Sequence, residues 1–238
     1  MTVKTLKIDD IDVAIAAGAS ILDAAKEAGI FIPTLCHLDG VKDIGACRLC
    51  MVEVAGVNKL LPACVTEISE GMEVHTNTPK LQEYRRMIVE LLFSEGNHTC
   101  SVCVANGSCE LQRAAIKVGM DHTRFAYRFP KRHVDLSHPL FGIDHNRCIL
   151  CTRCVRVCDE IEGAHVWDVA QRGENCYIVS GMNQPWGEVS ACTSCGKCVD
   201  ACPTGAIFHK GTTVAEETRD RGKLEFLVTA REKKEWTR

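Results

Sequence analysis

Sixteen cysteines stand in a chain of 238 residues, and their spacing indicates the chemistry before anything else does. Cys148, Cys151, Cys154 and Cys158 follow C-x2-C-x2-C-x3-C; Cys192, Cys195, Cys198 and Cys202, with Pro203 behind it, repeat the pattern. Three closely spaced thiolates on a tightly turning backbone can each reach one corner of an iron–sulfur cube, while the fourth cysteine is carried to the other run's cluster. The expected sets are therefore Cys148, Cys151, Cys154 and Cys202 for one [4Fe–4S] cluster, and Cys192, Cys195, Cys198 and Cys158 for a second. Structural zinc also takes C-x2-C pairs, but it needs two pairs rather than two triplets each trailed by a fourth cysteine.

Two more sets precede these. Cys36, Cys47, Cys50 and Cys64 are spaced C-x10-C-x2-C-x13-C. A loop that presents three thiolates, with a fourth from a later strand end, suits a planar [2Fe–2S] rhomb, with a zinc site as the alternative. Cys100, Cys103 and Cys109 form C-x2-C-x5-C, which leaves a cube one ligand short. His98 is the nearest candidate for the fourth position, since histidine replaces cysteine in some iron–sulfur sites; His122, His133 and water compete with it. Fifteen cysteines and His98 make four sets of four. Only Cys176 is left over, and it is expected as a small buried apolar residue.

Composition bounds the setting. The N-terminal Met1-Thr2-Val3-Lys4-Thr5-Leu6 lacks the apolar core of an export signal, and Arg85-Arg86 falls inside a predicted helix rather than a twin-arginine leader. No apolar run approaches membrane-spanning length. Metal-bound thiolates in a reducing cytoplasm account for the cysteines better than a disulfide framework does. The formal charge of −3 counts every cysteine as neutral. Three all-thiolate clusters at about −2 each and a histidine-ligated cube at about −1 would take the loaded chain to about −10, which disfavours nucleic acid as a partner. There is no G-x-G-x-x-G after a strand and no Walker loop, so no nucleotide site is visible. A chain devoted to sixteen ligands with no substrate motif reads as an electron conductor.

The elements must hold these residues apart and in order. Residues 1–78 read as a small mixed α/β domain: Thr5–Ile8 and Asp12–Ala16 as a hairpin turning at Asp9-Asp10, Ser20 as the N-cap of a helix over Ile21–Ala28, then strands at Met51–Ala55, Lys59–Leu61 and Glu73–Thr76. Residues 79–119 read as a helical module. Thr78-Pro79 starts its first helix, with Leu81, Tyr84, Ile88, Leu91 and Leu92 on one face, and a second helix runs from Glu110 to Val118. Residues 120–142 are a polar connecting segment expected to pack over its neighbour, with Arg124, Arg128, Lys131 and Arg132 on a solvated face or offsetting cluster charge. The two-cluster region spans 143–210, with an inserted hairpin of Val166–Val169 and Cys176–Val179. The tail, 211–238, is expected as a docking arm or a frayed end.

The order of a [2Fe–2S] domain, a module of one histidine and three cysteines, and a two-cluster domain resembles the N-terminal part of the complex I large iron–sulfur subunit. [FeFe] hydrogenases and the small diaphorase subunit of cytoplasmic NAD-reducing [NiFe] hydrogenases share it. Gly107, Cys109-Glu110-Leu111-Gln112 and Asp135-x-Ser137-x-Pro139-x-Phe141 also match. The chain ends where the larger relatives continue, and His98 lies two residues before Cys100 rather than the four usual in complex I; both features favour the diaphorase subunit. The resemblance implies an α+β fold: a ferredoxin-like (β-grasp) [2Fe–2S] domain, a small helical cluster module and a two-[4Fe–4S] ferredoxin-like domain. It implies one [2Fe–2S] and three [4Fe–4S] clusters on this chain, with FMN and NAD on a partner. The expected role is electron relay between [NiFe] hydrogenase small and large subunits and a flavin- and NAD-binding diaphorase large subunit, with no substrate site on this chain alone. The alternatives are an electron-input subunit of a complex I-like NADH dehydrogenase or a formate dehydrogenase and, from another class, a zinc-stabilised assembly scaffold.

Overall fold

In the computed structural model, which describes residues 2–234, the chain is α+β and divides into two compact units. The first takes the chain up to His37, then Asp43–Glu90 and Ala114–His122; the second takes Leu38–Lys42, Leu91–Arg113 and the chain from Thr123 onward. Glu235, Trp236, Thr237 and Arg238, the end of the expected tail, lie outside the described residues.

The first unit is built on a five-stranded sheet. Strands β1 (Val3–Ile8) and β2 (Ile11–Ala16) pair antiparallel, turning on Asp9 and Asp10, both left-handed at φ 46° and 68°. Such two-residue turns suit the twist of a hairpin, and aspartate tolerates the conformation. Helix α1 (Ile21–Glu27) begins in a reciprocal cap: Ser20 Oγ accepts from the Asp23 N–H at 3.1 Å, and the Asp23 carboxylate accepts from the Ser20 N–H at 2.9 Å. Strands β3 (Met51–Val54), β4 (Leu61–Pro62) and β5 (Met72–His75) complete the order β2-β1-β5-β3-β4, in which only β1 and β5 run parallel. That is the β-grasp order. The strand expected at Lys59–Leu61 starts later, at Leu61. Leu6, Ile8, Val13, Ile21, Leu22, Val52 and Val74 form the core, with Cys50 and Cys64 in the same cluster.

Helix α2 (Pro79–Glu95) starts as its sequence predicts, with Thr78 Oγ1 accepting from the Leu81 N–H at 3.3 Å. Its buried line, however, is Leu81, Arg85 and Val89; Leu91 is exposed. An arginine thus sits in the middle of the packing face. Helix α3 (Glu110–Lys117) follows Cys109 directly.

In the second unit, β6 (Val134–Asp135) and β7 (Phe141–Asp144) pair antiparallel, and β10 (Ile207–His209) lies on the other side of β7. Helix α4 (Arg153–Arg156) continues into one wider turn through Glu162. Strands β8 (Trp167–Ala170) and β9 (Tyr177–Ser180) are the expected inserted hairpin, shifted by one residue. Helix α5 (Lys197–Ala201) precedes β10. The tail is neither free arm nor frayed end in its described part: α6 (Arg221–Lys233) buries Leu224 against Val157, Ile161 and Ala201. Upstream, the Ala215 and Glu217 N–H groups donate to the Cys103 and Val104 carbonyls at 3.1 and 3.0 Å. The apolar spacing of this short helix was too brief to stand out from its charges.

Candidate metal centres

In the first unit Cys36 lies on the loop after α1, Cys47 and Cys50 on the approach to β3, and Cys64 just past β4. Cys36, Cys50 and Cys64 are buried and Cys47 half-buried. The Cys50 and Cys64 sulfurs stand 3.5 Å apart, and the Cys47 N–H points at Cys36 Sγ at 3.5 Å. Hydrogen bonds from the Cys47 and Cys64 thiols hold Cys36 far below its usual value, and Cys64 lowers Cys50 to about 7; Cys47 and Cys64, as donors, move up. The four thiols therefore share protons that a cationic core would displace. The Arg85 side chain donates to the carbonyls of Leu49 (3.2 Å) and Met51 (3.0 Å), on either side of Cys50.

The second unit holds the other twelve expected ligands, around three hollows. One, with about 310 Å³ of empty space, is lined by His98, Cys100, Cys103 and Cys109, together with Phe93 and Gly205. His98 Nε2 is buried there without a hydrogen-bond partner. Burial lowers the pKa of this imidazole to about 4, with Arg147 adding to the effect, so at neutral pH it presents a free lone pair. His122 pairs with Asp121 and His133 stacks on His145 with ring centroids 4.1 Å apart; neither lines this hollow.

A second hollow, about 330 Å³, is lined by Cys148, Cys151 and Cys154 with Cys202. The third, about 310 Å³, is lined by Cys192, Cys195 and Cys198 with Cys158. Each run thus sends its last cysteine to the other. The two runs are backbone copies: Leu150 and Thr152 are left-handed at φ 52° and 56°, and Ser194 and Gly196, at the matching positions, at 57° and 74°. Leucine, threonine and serine hold that conformation at a cost of about 1–2 kcal/mol each. Alternating right- and left-handed residues aim successive N–H groups at one point, a cradle for an anion. Burial pushes Cys151 and Cys109 up to about 11 and Cys148 to about 12. These thiols ionise only when a cation replaces the proton.

Donor set, hollow size and the orphaned nitrogen of His98 all fit iron–sulfur clusters. Among the described residues no three or more of His, Cys, Asp and Glu close on a point suited to a single metal ion.

The sequence reading missed a surrounding layer. Glu110 takes Arg153 in a two-pronged pair, both contacts at 2.9 Å, and Arg221 at 2.6 Å, so the residue after Cys109 is tied to α4 and α6. Its place beside a ligand in Cys109-Glu110-Leu111-Gln112 was the available signal. Trp186 Nε1–H donates to Cys192 Sγ at 3.3 Å, and His138 Nε2 lies 3.7 Å from the same sulfur. The connecting segment packs as expected: Asp135 accepts from the Trp186 N–H at 2.7 Å, and Ser137 Oγ from the Gly187 N–H at 2.8 Å. Arg132 donates to the Glu174 and Cys176 carbonyls, and Arg128 pairs with Glu174. Cys176 departs from expectation. It is half-buried, not buried, because it lies just before β9 at the wall of a hollow it shares with Cys148 and His145.

Three family descriptions match consecutive stretches: a 2Fe-2S iron-sulfur cluster binding domain (residues 3–79), the NADH-ubiquinone oxidoreductase-G iron-sulfur binding region (85–124), and the ferredoxin-like domain of NADH-quinone oxidoreductase subunit 3 (138–208). The chain is 40% identical over 206 residues to the alpha subunit of the NADPH-Fe(3+) oxidoreductase of Geobacter sulfurreducens, covering 87% of this chain and 24% of that protein. It is 36% identical over 209 residues to the mitochondrial NADH-ubiquinone oxidoreductase 78 kDa subunit of Candida albicans, covering 85% and 28%. It spans about a quarter of the length of these relatives. To the gamma subunit of the NAD-reducing hydrogenase HoxS of Cupriavidus necator it is 36% identical over 194 residues, covering 81% of each. A solved structure of an NAD+-reducing [NiFe]-hydrogenase in the H2-reduced state contains a chain that superposes at a TM-score of 0.83, with 33% identity and 88% of both chains covered.

Proposed function

The chain belongs to the family of the NAD-reducing hydrogenase HoxS gamma subunit, and on that premise we propose that it relays electrons between a [NiFe] hydrogenase module and a partner that holds FMN and the NAD site. Clusters of this kind supply one-electron storage and transfer when bound. We assign Cys36, Cys47, Cys50 and Cys64 to a [2Fe–2S] cluster. His98, Cys100, Cys103 and Cys109 hold one [4Fe–4S] cluster, Cys148, Cys151, Cys154 and Cys202 another, and Cys192, Cys195, Cys198 and Cys158 the last. The corresponding partition of the chain is 1–78, 79–119, 120–142, 143–210 and 211–238. The chain itself binds no substrate, works in the cytoplasm and docks to a diaphorase large subunit and to hydrogenase small and large subunits.

The observation that carries this reading is the buried, unpartnered Nε2 of His98 facing three cysteines in one hollow. A solvated surface histidine would not pay the desolvation that moves its pKa to about 4. The residues around the hollows exclude water and place cations nearby against the cluster charge, Arg147 at the first, Arg153 and Arg156 beside Cys151 at the second and Lys197 at the third. Anaerobically purified chain should carry roughly 14 iron and matching acid-labile sulfide; near-stoichiometric zinc with little sulfide would establish the scaffold reading instead. Alone, the chain should not oxidise NADH.

A second reading, electron input to an NADH dehydrogenase or formate dehydrogenase assembly, is favoured by the identity of 36% to the NADH-ubiquinone oxidoreductase 78 kDa protein. Affinity purification of the native complex separates the two. Nickel present in proportion to this chain supports the hydrogenase role, and its absence with quinone reductase activity supports the other.

A further inference from the structure

The two cubes that share ligands across the repeated runs are treated differently by their surroundings. At the hollow of Cys148, Cys151, Cys154 and Cys202, the Thr204 hydroxyl lies 3.8 Å from Cys202 Sγ. That hydroxyl already donates to the Arg147 carbonyl at 2.8 Å, so its hydrogen is not free for sulfur. Around the other hollow, aromatic side chains close in: Trp186 and His138 are almost wholly buried, with Trp167 and Phe141 beside them. Trp186 and Trp167 meet edge to face with centroids 4.6 Å apart, and His138 stacks on Phe141 at 4.9 Å.

Two of these rings have their hydrogens fixed. The Trp186 indole has one polar hydrogen and donates it to Cys192 Sγ at 3.3 Å. His138 Nδ1 faces two backbone N–H groups, those of Leu140 and Phe141, each at 3.2 Å. Backbone N–H groups only donate, so Nδ1 must carry the lone pair and the ring hydrogen must be on Nε2. That hydrogen is shared between Ser194 Oγ at 3.1 Å and Cys192 Sγ at 3.7 Å. The backbone segments that carry the two rings are held together. Asp135 accepts from the Trp186 backbone at 2.7 Å, Ser137 from Gly187 at 2.8 Å, and a side chain at Gly187 would lie 2.4 Å from the Ser137 carbonyl oxygen. The Asp135-x-Ser137-x-Pro139-x-Phe141 segment is thereby a clamp that holds both donors over one sulfur.

We propose that Trp186 and His138 are tuning residues that, through two N–H donors on the Cys192 thiolate, raise the reduction potential of the Cys192, Cys195, Cys198 and Cys158 cluster above that of its sister. This rests on the ligand assignment of the preceding section. An added electron increases negative charge on the sulfurs, so N–H···S hydrogen bonds strengthen on reduction and favour the reduced form. Among the described residues, no side-chain N–H donates to a thiolate of the other cube.

The test uses the loaded full-length chain, with potentials followed by electron paramagnetic resonance during redox titration. Trp186→Phe keeps the ring and removes the N–H; His138→Gln keeps an acceptor and a donor. Trp186→Phe should retain the wild-type iron content and lower one cluster's reduction equilibrium constant about tenfold, a shift of about 59 mV for one electron, leaving the other cubes in place. His138→Gln should shift it less, and deuterium exchange should change the proton hyperfine couplings of that cluster in the wild type but less in Trp186→Phe. An unmoved potential at full iron content, equal shifts in both sister clusters, or loss of the cluster from both variants would each overturn the tuning role. A wild-type chain lacking that cluster altogether would instead overturn the ligand assignment.

Discussion

Gly205 shows how little room the histidine-bearing hollow leaves. A Cβ built there would lie 2.5 Å from Cys103 Sγ and 3.3 Å from the Ala105 methyl, at a place where neither can retreat, since Cys103 and Ala105 are buried. Gly205→Ala should therefore lose the cluster of His98, Cys100, Cys103 and Cys109 selectively, about four irons per chain. Iron analysis with spectra of the remaining clusters checks it; full iron content would show that the sulfur need not stand where it does. As the proposed fourth ligand, His98 also bears on potential. A neutral imidazole leaves its cluster one negative charge lighter than a fourth thiolate would, which favours the added electron, as in histidine-ligated [2Fe–2S] centres. His98→Cys, where the cluster assembles, should lower that cluster's potential in a redox titration, and His98→Ala should leave it labile. An unchanged spectrum and potential in His98→Ala would return the fourth position to His133, His122 or water. At this scale the sequence was informative because ligation demands fixed residue types at fixed spacings. Trp186 and His138 escaped notice because their partner Cys192 lies six residues away in one case and 54 in the other, with no spacing rule to join them.

Among the elements, α2 carries the least expected feature. Helical periodicity marks its apolar residues, yet the centre of its buried line is Arg85, which satisfies the carbonyls on either side of Cys50. Periodicity alone cannot see this, since an arginine is read as solvent-facing until its acceptors are known. Arg85→Met would fill similar volume but strand two buried carbonyls, each costing about 1–3 kcal/mol. The expected loss is about 2–6 kcal/mol, with the [2Fe–2S] spectrum weakened before the others, measured as an earlier denaturant midpoint by absorbance. An unchanged midpoint would mean that water serves those carbonyls equally well. The remaining misreadings have local causes. β4 starts at Leu61 because pairing with β3 begins only there, Val52 facing Leu61 and Met51 facing Pro62. The described part of the tail is a helix because Leu224 finds a buried seat that only the folded chain provides.

For the molecule as a whole, pH is the most direct probe. His145 is buried with Nδ1 unpartnered, and burial, aided by His133, lowers its pKa to about 4. In the unfolded chain a histidine titrates near 6.5. Between those values the unfolded state binds a proton that the folded state refuses, so stability is complete above about pH 6.5 and is lost as pH falls toward 4. The size is on the order of 2–3 kcal/mol. Urea melts of the loaded chain at pH 7 and pH 5 should differ by about that much, and His145→Phe should flatten the difference. Equal slopes in both proteins would assign the acid lability to the cluster thiolates instead. The mixed helix-and-strand content and the inserted hairpin were legible in advance, because alternation, caps and turn residues are local; the β-grasp was implied by the family resemblance alone, since its order rests on the non-local parallel pairing of β1 with β5. The division into two compact units was not, because it follows contacts that cut through α2 and α3 rather than any break in composition.

Cys176 has a practical consequence for anyone handling the protein. It is half-buried, and it belongs to none of the four ligand sets. With fifteen sulfurs committed to iron under the proposed assignment, a loaded chain should show a thiol reagent one slow equivalent, and a chain stripped by chelator and denaturant should show sixteen. The same residue gives a single labelling position in the hollow it shares with Cys148 and His145, to which a spectroscopic reporter can be attached without sacrificing a ligand of the proposed sets. If the loaded chain instead gives several fast equivalents, clusters are missing from the preparation. Alkylation with mass readout would then name the empty site.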